Sequence, residues 1–204
     1  INADLVEARI AQLQDKGLLL GNERMVTPAS MLALEQRAAH EIAAGHGAVG
    51  AFADRPTAAL RVQQAAADLG MRPLNTGQLR AAVDVLATND RVHLVHALAI
   101  ATRTARDFGE KLGVEGKSVA SFLARHRPVL DGTASPEQAA NTARELRGAW
   151  IMVDETSLVG TEQFEKLVRL ANLAGAERLV MIGDTKQLHA IAAGKPFEQA
   201  QERG

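Results

Sequence analysis

The sequence predicts an α/β protein with a mainly parallel β-sheet, and two observations carry this prediction. Apolar runs at residues 150–153 and 179–182 show no alternation with polar residues, as expected for strands buried on both faces. Segments with an apolar stripe at helical spacing lie before and between these runs. Strand and helix therefore alternate along the chain, which is typical of a parallel sheet covered by helices.

The first 72 residues predict a small helical subdomain that resembles a winged helix. Apolar residues recur at helical spacing from Val6 to Leu13, and Gly17 ends this helix. A short hairpin follows, and Thr27 with Pro28 begins a second helix as N-cap and first-turn residue.

A glycine-rich connector at residues 45–55 precedes an alanine-rich helix at residues 59–69. From about residue 74 onward, predicted helices and strands alternate along the chain. We therefore assign residues 1–72 to the subdomain with its connector, and residues 73–204 to a larger α/β domain.

The larger domain contains four predicted helices with recognisable ends. One begins at Asn75 or Thr76, and a second covers residues 105–112. A third begins at Ser135, where a capping box is combined with proline at the first helical position. The fourth lies within residues 161–175, between the two apolar runs, so strand, helix and strand form a βαβ unit.

Composition narrows the class of protein. Of the 204 residues, 47% are apolar and 23% are charged, and we see no apolar run long enough to span a bilayer. The absence of cysteine excludes disulfides and thiolate metal sites, and without an export leader we expect a soluble cytoplasmic protein. Because 23 basic residues nearly balance 24 acidic ones, any contact with nucleic acid must be a local patch.

Two adjacent carboxylates, Asp154 and Glu155, directly follow the first buried strand. Ligands bind at the carboxyl ends of strands in open α/β sheets. In phosphoryl-transfer sites the first acid of such a pair holds Mg²⁺, and the second orients or deprotonates the attacking water. Asp154 and Glu155 fit these roles, although acids also follow buried strands simply because the chain leaves the core.

The next strand ends in a similar way, at Gly183 and Asp184, and Gln187 follows. A right-handed crossover leaves both strand ends at one edge of the sheet, so Gln187 can reach a γ-phosphate held near Asp154. A neutral amide suits a sensor because it binds phosphate or water through hydrogen bonds without adding charge.

Two segments carry a resemblance to a known family. Residues 153–159 (VDETSLV) and 183–191 (GDTKQLHAI) resemble motifs II and III of RecD-like superfamily 1 DNA helicases, in particular the motor of TraI-type conjugative relaxase/helicases. The resemblance implies a RecA-like P-loop NTPase domain that uses ATP and Mg²⁺. It further implies a catalytic site of Asp154, Glu155 and Gln187, in which Asp154 is the metal ligand and Gly183 and Asp184 lie at the nucleotide.

The same resemblance extends to the base and to DNA. Residues 74–78 (LNTGQ) look like the segment in which a glutamine reads adenine, which gives this role to Gln78. Residues 99–103 (AIATR) and 118–123 (SVASFL) are similar to motif Ia and to the following segment that contacts single-stranded DNA. Thr102 and Ser118 would then touch the strand, although Ala101 stands where the family usually has proline.

Basic residues surround these segments. Residues 103–127 include six basic and three acidic residues. Of the basic residues, Arg103, Arg125 and Arg127 are candidates for contacts with DNA phosphates. A small excess of this kind also occurs on ordinary solvated helices.

The phosphate loop that the family needs is not in the sequence, which contains no G-x-x-x-x-G-K-[ST]. Where it should stand, Val95 directly precedes His96, although two parallel strands need a crossover of about a dozen residues or more. Either the loop and its helix are lost and one long strand forms, or a segment is absent from the printed sequence. We favour the second alternative and expect Val95 and His96 to lie apart in space.

We therefore expect the first RecA-like domain of an ATP-dependent DNA helicase, with single-stranded DNA, a second RecA-like domain and the conjugation machinery as partners. Motifs IV to VI do not follow within the sequence, so this chain alone should not unwind DNA. Two alternatives stay open: a degenerate, ATP-free single-strand-binding module, and an unrelated α/β ligand-binding domain.

Overall fold

The computed structural model describes residues 3–21, 26–96 and 116–183. The strands are β1 (Leu19–Gly21), β2 (Val26–Pro28), β3 (Val92–His96), β4 (Trp150–Val153) and β5 (Arg178–Gly183). The helices are α1 (Ala3–Asp15), α2 (Ala29–Ala44), α3 (Arg55–Asp68), α4 (Thr76–Ala87), α5 (Val119–Arg125), α6 (Arg127–Leu130), α7 (Pro136–Leu146) and α8 (Thr161–Ala174), and a 3₁₀ turn covers Thr156–Leu158. Within these ranges no helix has the length and apolar character needed to cross a bilayer.

The larger sheet is parallel, and β5 lies between β3 and β4. Val92 aligns with Leu179 on one side of β5, and Trp150 aligns with Arg178 on the other. The connection from β4 through α8 to β5 is the predicted βαβ unit. The α/β class and the parallel sheet are therefore confirmed.

Strand β3 corrects the expectation about Val95 and His96. The two residues are consecutive members of one strand, in which Val95 aligns with Ile182 and His96 with Gly183. They do not lie apart in space. The physical reason is that no crossover separates them in the sequence, so the second residue simply extends the strand begun by the first.

The main core lies on the face of the sheet that α2 and α8 cover. Phe164, Leu167 and Val168 of α8 are almost completely buried, together with Leu179 and Met181 of β5. Burying a side chain of this size contributes roughly 1.5–3 kcal/mol relative to exposure. Packing on α8 therefore holds the βαβ unit together.

Helix α2 belongs to this core although it comes from the N-terminal region. Ala38 joins the buried cluster, and α2 packs along α8. Near the end of α2, the Glu41 carbonyl and carboxylate each accept a hydrogen bond from the Asn172 amide of α8, at 2.8 Å. The buried Glu165 carboxylate lies between the guanidinium groups of Arg37 and Arg169, at 3.7 and 3.4 Å. The division after residue 72 stays a prediction, but α2 and the sheet share one core.

The other face of the sheet is partly covered by the pair of helices α3 and α4. The Arg178 side chain, which is fully buried, fixes the loops beside this pair. Its guanidinium donates to the carbonyls of Gly50, Thr88 and Asp90 at 2.7–2.9 Å. Burial lowers the pKa of Arg178, an effect that nearby Glu177 and Asp90 oppose. This one side chain joins β5 to the segments that precede α3 and β3.

Two helix starts differ from the sequence prediction. Thr27 pairs with Leu20 in the hairpin, so α2 begins after Pro28 without a side-chain cap. Helix α3 begins earlier than predicted because Asp54 caps it and accepts a hydrogen bond from Thr57 N at 2.8 Å. In contrast, the capping boxes at Asn75 and Ser135 confirm the predicted starts of α4 and α7.

A buried histidine joins α5 to α7. The His126 Nδ1 lies 3.2 Å from the Thr142 hydroxyl, and its Nε2 has no hydrogen-bond partner among the described residues. Burial lowers the pKa of His126 below its ordinary value of 6.5, and the opposing effect of Glu145 is smaller. The neutral ring is therefore the form that the folded protein accommodates.

We predict that acid destabilises the fold through this ring. Because the folded-state pKa lies below the unfolded value, protons bind preferentially to the unfolded chain, and stability present above about pH 6.5 is lost as pH falls towards the folded pKa. The midpoint of urea unfolding should be lower at pH 5.5 than at pH 7.5. The drop should be smaller in His126→Gln, whereas His40→Gln, at an exposed position, should behave as the parent. An equal drop in all three proteins would contradict this prediction.

Candidate functional site

The two carboxylates predicted from the sequence lie directly after β4, at the carboxyl-terminal edge of the sheet. Asp154 and Glu155 are both half-buried, and Val153 before them is buried in the core. The Asp154 carboxylate accepts a hydrogen bond from its neighbour, Glu155 N, at 2.9 Å. No cation among the described residues forms an ion pair with either acid, so both can meet a positively charged ligand.

Glu155 has a left-handed backbone, with φ 54° and ψ 37°. Of the residues other than glycine that the structure describes, it alone has positive φ. This conformation costs a residue with a side chain roughly 1–2 kcal/mol. Such strain occurs at functional sites when the surroundings enforce it. Here the left-handed residue directly precedes the 3₁₀ turn of Thr156–Leu158.

Thr156 holds this turn in place. Its side chain is fully buried, and its hydroxyl donates to the Val153 carbonyl at 3.1 Å. The 3₁₀ turn that follows closes through Leu158 N to Glu155 O at 2.9 Å. The role of Thr156 was not predicted from the sequence. The left-handed conformation of Glu155 could not be predicted either, because glycine or asparagine usually occupies such positions.

The neighbouring strand ends at the same edge. Val153 aligns with Met181, so Gly183 lies two residues further along β5, level with the turn at Glu155. Adjacent strands are about 4.8 Å apart. The structure therefore brings Gly183 beside the acid pair. Asp184 and Gln187 lie outside the described residues.

Gln78 is engaged in capping α4. Its backbone N donates to Asn75 Oδ1 at 2.9 Å, and its side-chain Oε1 accepts from Asn75 N at 3.1 Å. The oxygen that adenine recognition would use is therefore already hydrogen-bonded within the chain.

The described candidates for DNA contact already have partners within the protein. The Ser118 hydroxyl caps α5 and accepts from Ser121 N at 3.2 Å. Arg125 pairs with Glu145 at 2.9 Å, and Arg127 pairs with Asp131 at 3.0 Å, each on the surface. Thr102 and Arg103 lie outside the described residues.

The acid pair fits a magnesium ion held jointly with phosphates. Mg²⁺ usually takes one or two carboxylates and completes its shell with water and phosphate oxygens. Among the described residues, the Asp154 carboxylate accepts from Glu155 N, and its other acceptor positions have no partner there. In the part of the chain that the structure describes, no three metal-ligating side chains cluster.

Comparisons with known proteins agree with the motifs. A family model described as AAA domain matches residues 75–204. The chain is also 34% identical over 133 residues to the "Multifunctional conjugation protein TraI" of Escherichia coli, and equally to that of strain K12. Each alignment covers 63% of this chain and 7% of the relative.

The family match covers well over half of the chain and includes both acids, Gly183 and the capped Gln78. It is not compatible with an unrelated α/β ligand-binding domain. The chain spans only 7% of the length of the curated relatives that it matches. We conclude that the chain belongs to the AAA domain family and is similar to a short part of TraI.

Proposed function

We propose that this chain is the nucleotide-binding core of an ATP-dependent motor that acts on single-stranded DNA in conjugative plasmid transfer. The observation that carries the proposal is the acid pair at the end of β4, beside the end of β5. In the complete motor, a second RecA-like domain and the conjugation machinery are partners, and the location is cytoplasmic.

Each residue of the site has a distinct role in this proposal. Asp154 holds Mg²⁺, which, when bound, neutralises charge on the β- and γ-phosphates of ATP. Glu155 accepts the proton of the attacking water and orients it. Gln187 hydrogen-bonds the γ-phosphate, Gly183 and Asp184 line the nucleotide edge, and Gln78 reads the base. The hydrogen bond from the Thr156 hydroxyl to Val153 O supports the turn on which both carboxylates lie.

A second candidate is an ATP-free module that binds single-stranded DNA. Strand β3 passes through Val95 and His96 without a phosphate loop, and the sequence has no such loop elsewhere. The candidates differ in whether the chain as it stands binds MgATP, which calorimetry measures directly. Absence of nucleotide binding, together with intact binding of an oligonucleotide, would favour the second candidate.

The first prediction for the site concerns Glu155→Gln in a complete motor that contains this chain together with a second RecA-like domain. Hydrolysis should fall by a factor of roughly 10²–10⁴ because the base for water is lost. Nucleotide affinity should stay largely intact because Asp154 still holds the metal. Steady-state turnover and nucleotide titration check both parts.

The matched control is Glu162→Gln, which removes an exposed carboxylate of α8 that pairs with Lys166 at 2.6 Å. This variant should hydrolyse ATP like the parent motor. Unchanged turnover in Glu155→Gln would remove Glu155 from the mechanism.

Glu155→Gly should separate stability from activity. Glycine adopts positive φ without strain, so this variant of the present chain should gain roughly 1 kcal/mol from relief of strain, less the entropy that glycine adds to the unfolded chain. In the complete motor it should lose hydrolysis as Glu155→Gln does. Urea unfolding of Glu155→Gly against Glu155→Ala checks the backbone effect, since both lack the carboxylate. A less stable glycine variant would contradict it.

The single-strand path can be tested with Arg103→Ala combined with Arg125→Ala. Because these residues would bind phosphates, the affinity for single-stranded DNA should fall about equally for all DNA sequences. The slope of the logarithm of the binding constant against the logarithm of the salt concentration should become shallower by roughly 0.7 for each phosphate that the variant no longer neutralises. Arg9→Ala, at an exposed position on α1, is the control. If the double variant matches the parent in both affinity and slope at two salt concentrations, these residues do not form the path.

A further inference from the structure

Two aromatic rings meet on the surface at the amino-terminal end of β4. The Phe52 ring lies with its edge against Trp150, with centroids 6.3 Å apart and planes at 83°. Phe52 is 60% exposed and Trp150 is 38% exposed. Only 3% of the sequence is aromatic, and Trp150 is its single tryptophan. Two rings of this scarce class are therefore partly open to solvent at one place.

The chain holds Phe52 in this position through its backbone. Phe52 N and Ala53 N both donate to the Leu86 carbonyl, at 2.9 and 3.2 Å, and Val49 N donates to Asn89 O at 3.1 Å. The buried Arg178 guanidinium binds the Gly50 carbonyl at 2.7 Å. The segment is thus fixed at several points, and Phe52 presents its ring from a rigid support rather than from a loose loop.

Next to the rings, a partly exposed methionine lies on the same face of β4. Side chains alternate along a strand, so Trp150 and Met152 share one face of β4 while Ile151 and Val153 face the core. Met152 is also 38% exposed. Helices α3 and α4 pack together on this side of the sheet, and α4 contacts β3 at the far side of the sheet from β4. Three partly exposed apolar side chains, Phe52, Trp150 and Met152, thus lie close together on this surface.

Charge indicates the kind of partner. The Arg61 guanidinium of α3 lies 5.6 Å from the centroid of the Phe52 ring. It pairs with no carboxylate among the described residues, while Asp84 on the neighbouring α4 is shared between Arg55 and Arg80. Rings flanked by an available guanidinium suit a ligand that offers flat faces and negative charge. Unpaired nucleotides have both, because bases stack on rings and phosphates bind arginine.

We propose that Phe52, Trp150 and Arg61 form a stacking platform for unpaired bases of single-stranded nucleic acid. Trp150 opens β4 and Asp154 follows its last residue, so the platform and the acid pair are about 13 Å apart along the strand. The platform goes beyond the proposed function because it assigns a contact to the opposite edge of the sheet and requires no nucleotide.

The single tryptophan makes the platform directly measurable in the chain as it stands. Titration with an oligothymidylate of about twelve nucleotides should quench Trp150 fluorescence, because a base stacks on or beside the indole. An abasic strand of equal length carries the same phosphates without bases and should bind more weakly and quench little. Phe52→Ala should lower affinity for oligothymidylate by about 5- to 150-fold, the range expected for removal of one stacked base.

Two further variants separate stacking from other contacts. Phe52→Leu keeps an apolar side chain without a ring and should lose most of the affinity that Phe52→Ala loses. Leu173→Ala removes an equally open apolar side chain, 59% exposed on α8, and should bind as the parent does. Thermal unfolding should be nearly unchanged in all three variants because the altered side chains are exposed.

Several outcomes would overturn the proposal. They are absence of quenching by oligothymidylate, equal binding and quenching by the abasic strand, and parental affinity in Phe52→Leu. A Trp150 ring that acrylamide cannot reach in the free protein would show that another part of the chain already covers the platform. Self-association that Phe52→Ala abolishes would assign the surface to a second copy instead. None of these outcomes depends on hydrolysis, so the proposal can fail while the role of Glu155 stands.

Discussion

The pairing of β5 with a parallel strand on each side determines where the candidate site lies. Its ladder aligns Val153 with Met181 and His96 with Gly183, so the carboxyl ends of all three strands point to one edge of the sheet. The hydrogen bonds between the strands would not by themselves hold this edge of the sheet in place. Helix α8 packs its apolar side on β5, and α2 packs on α8, which buries the sheet on that face. The position of the carboxylates thus depends on this core.

Much of this arrangement is predictable because it depends on short-range patterns. Unalternating apolar runs identified β4 and β5, and capping boxes identified the starts of α4 and α7. The continuity of β3 was the alternative that we did not favour, because the family resemblance implies a loop that the sequence does not contain. Thr27 was misassigned for another reason. Its pairing with Leu20 in the hairpin places it in a strand, and this pairing outweighs its preference for the N-cap of a helix.

The site shows the same division between local and distant causes. Two acids after a buried strand can be recognised in one sequence, but the left-handed Glu155 cannot, since glutamate has no preference for that conformation. What enforces it is the buried Thr156 hydroxyl on Val153 O and the turn that leads into α8. The structural role of the fully buried Arg178 could not be predicted from the sequence either, because its carbonyl partners come from segments far away in the sequence.

The capping box of α4 has a consequence for ligand selection. The Gln78 oxygen accepts one hydrogen bond from Asn75 N, which leaves its second lone pair and the amide N–H groups for a ligand. A base that meets this amide in its capped orientation leaves the first turn of α4 intact. A base that required the side chain to rotate away would lose about 1 kcal/mol, the usual contribution of a helix cap. The helix cap thus holds the amide in one orientation and favours ligands that fit it.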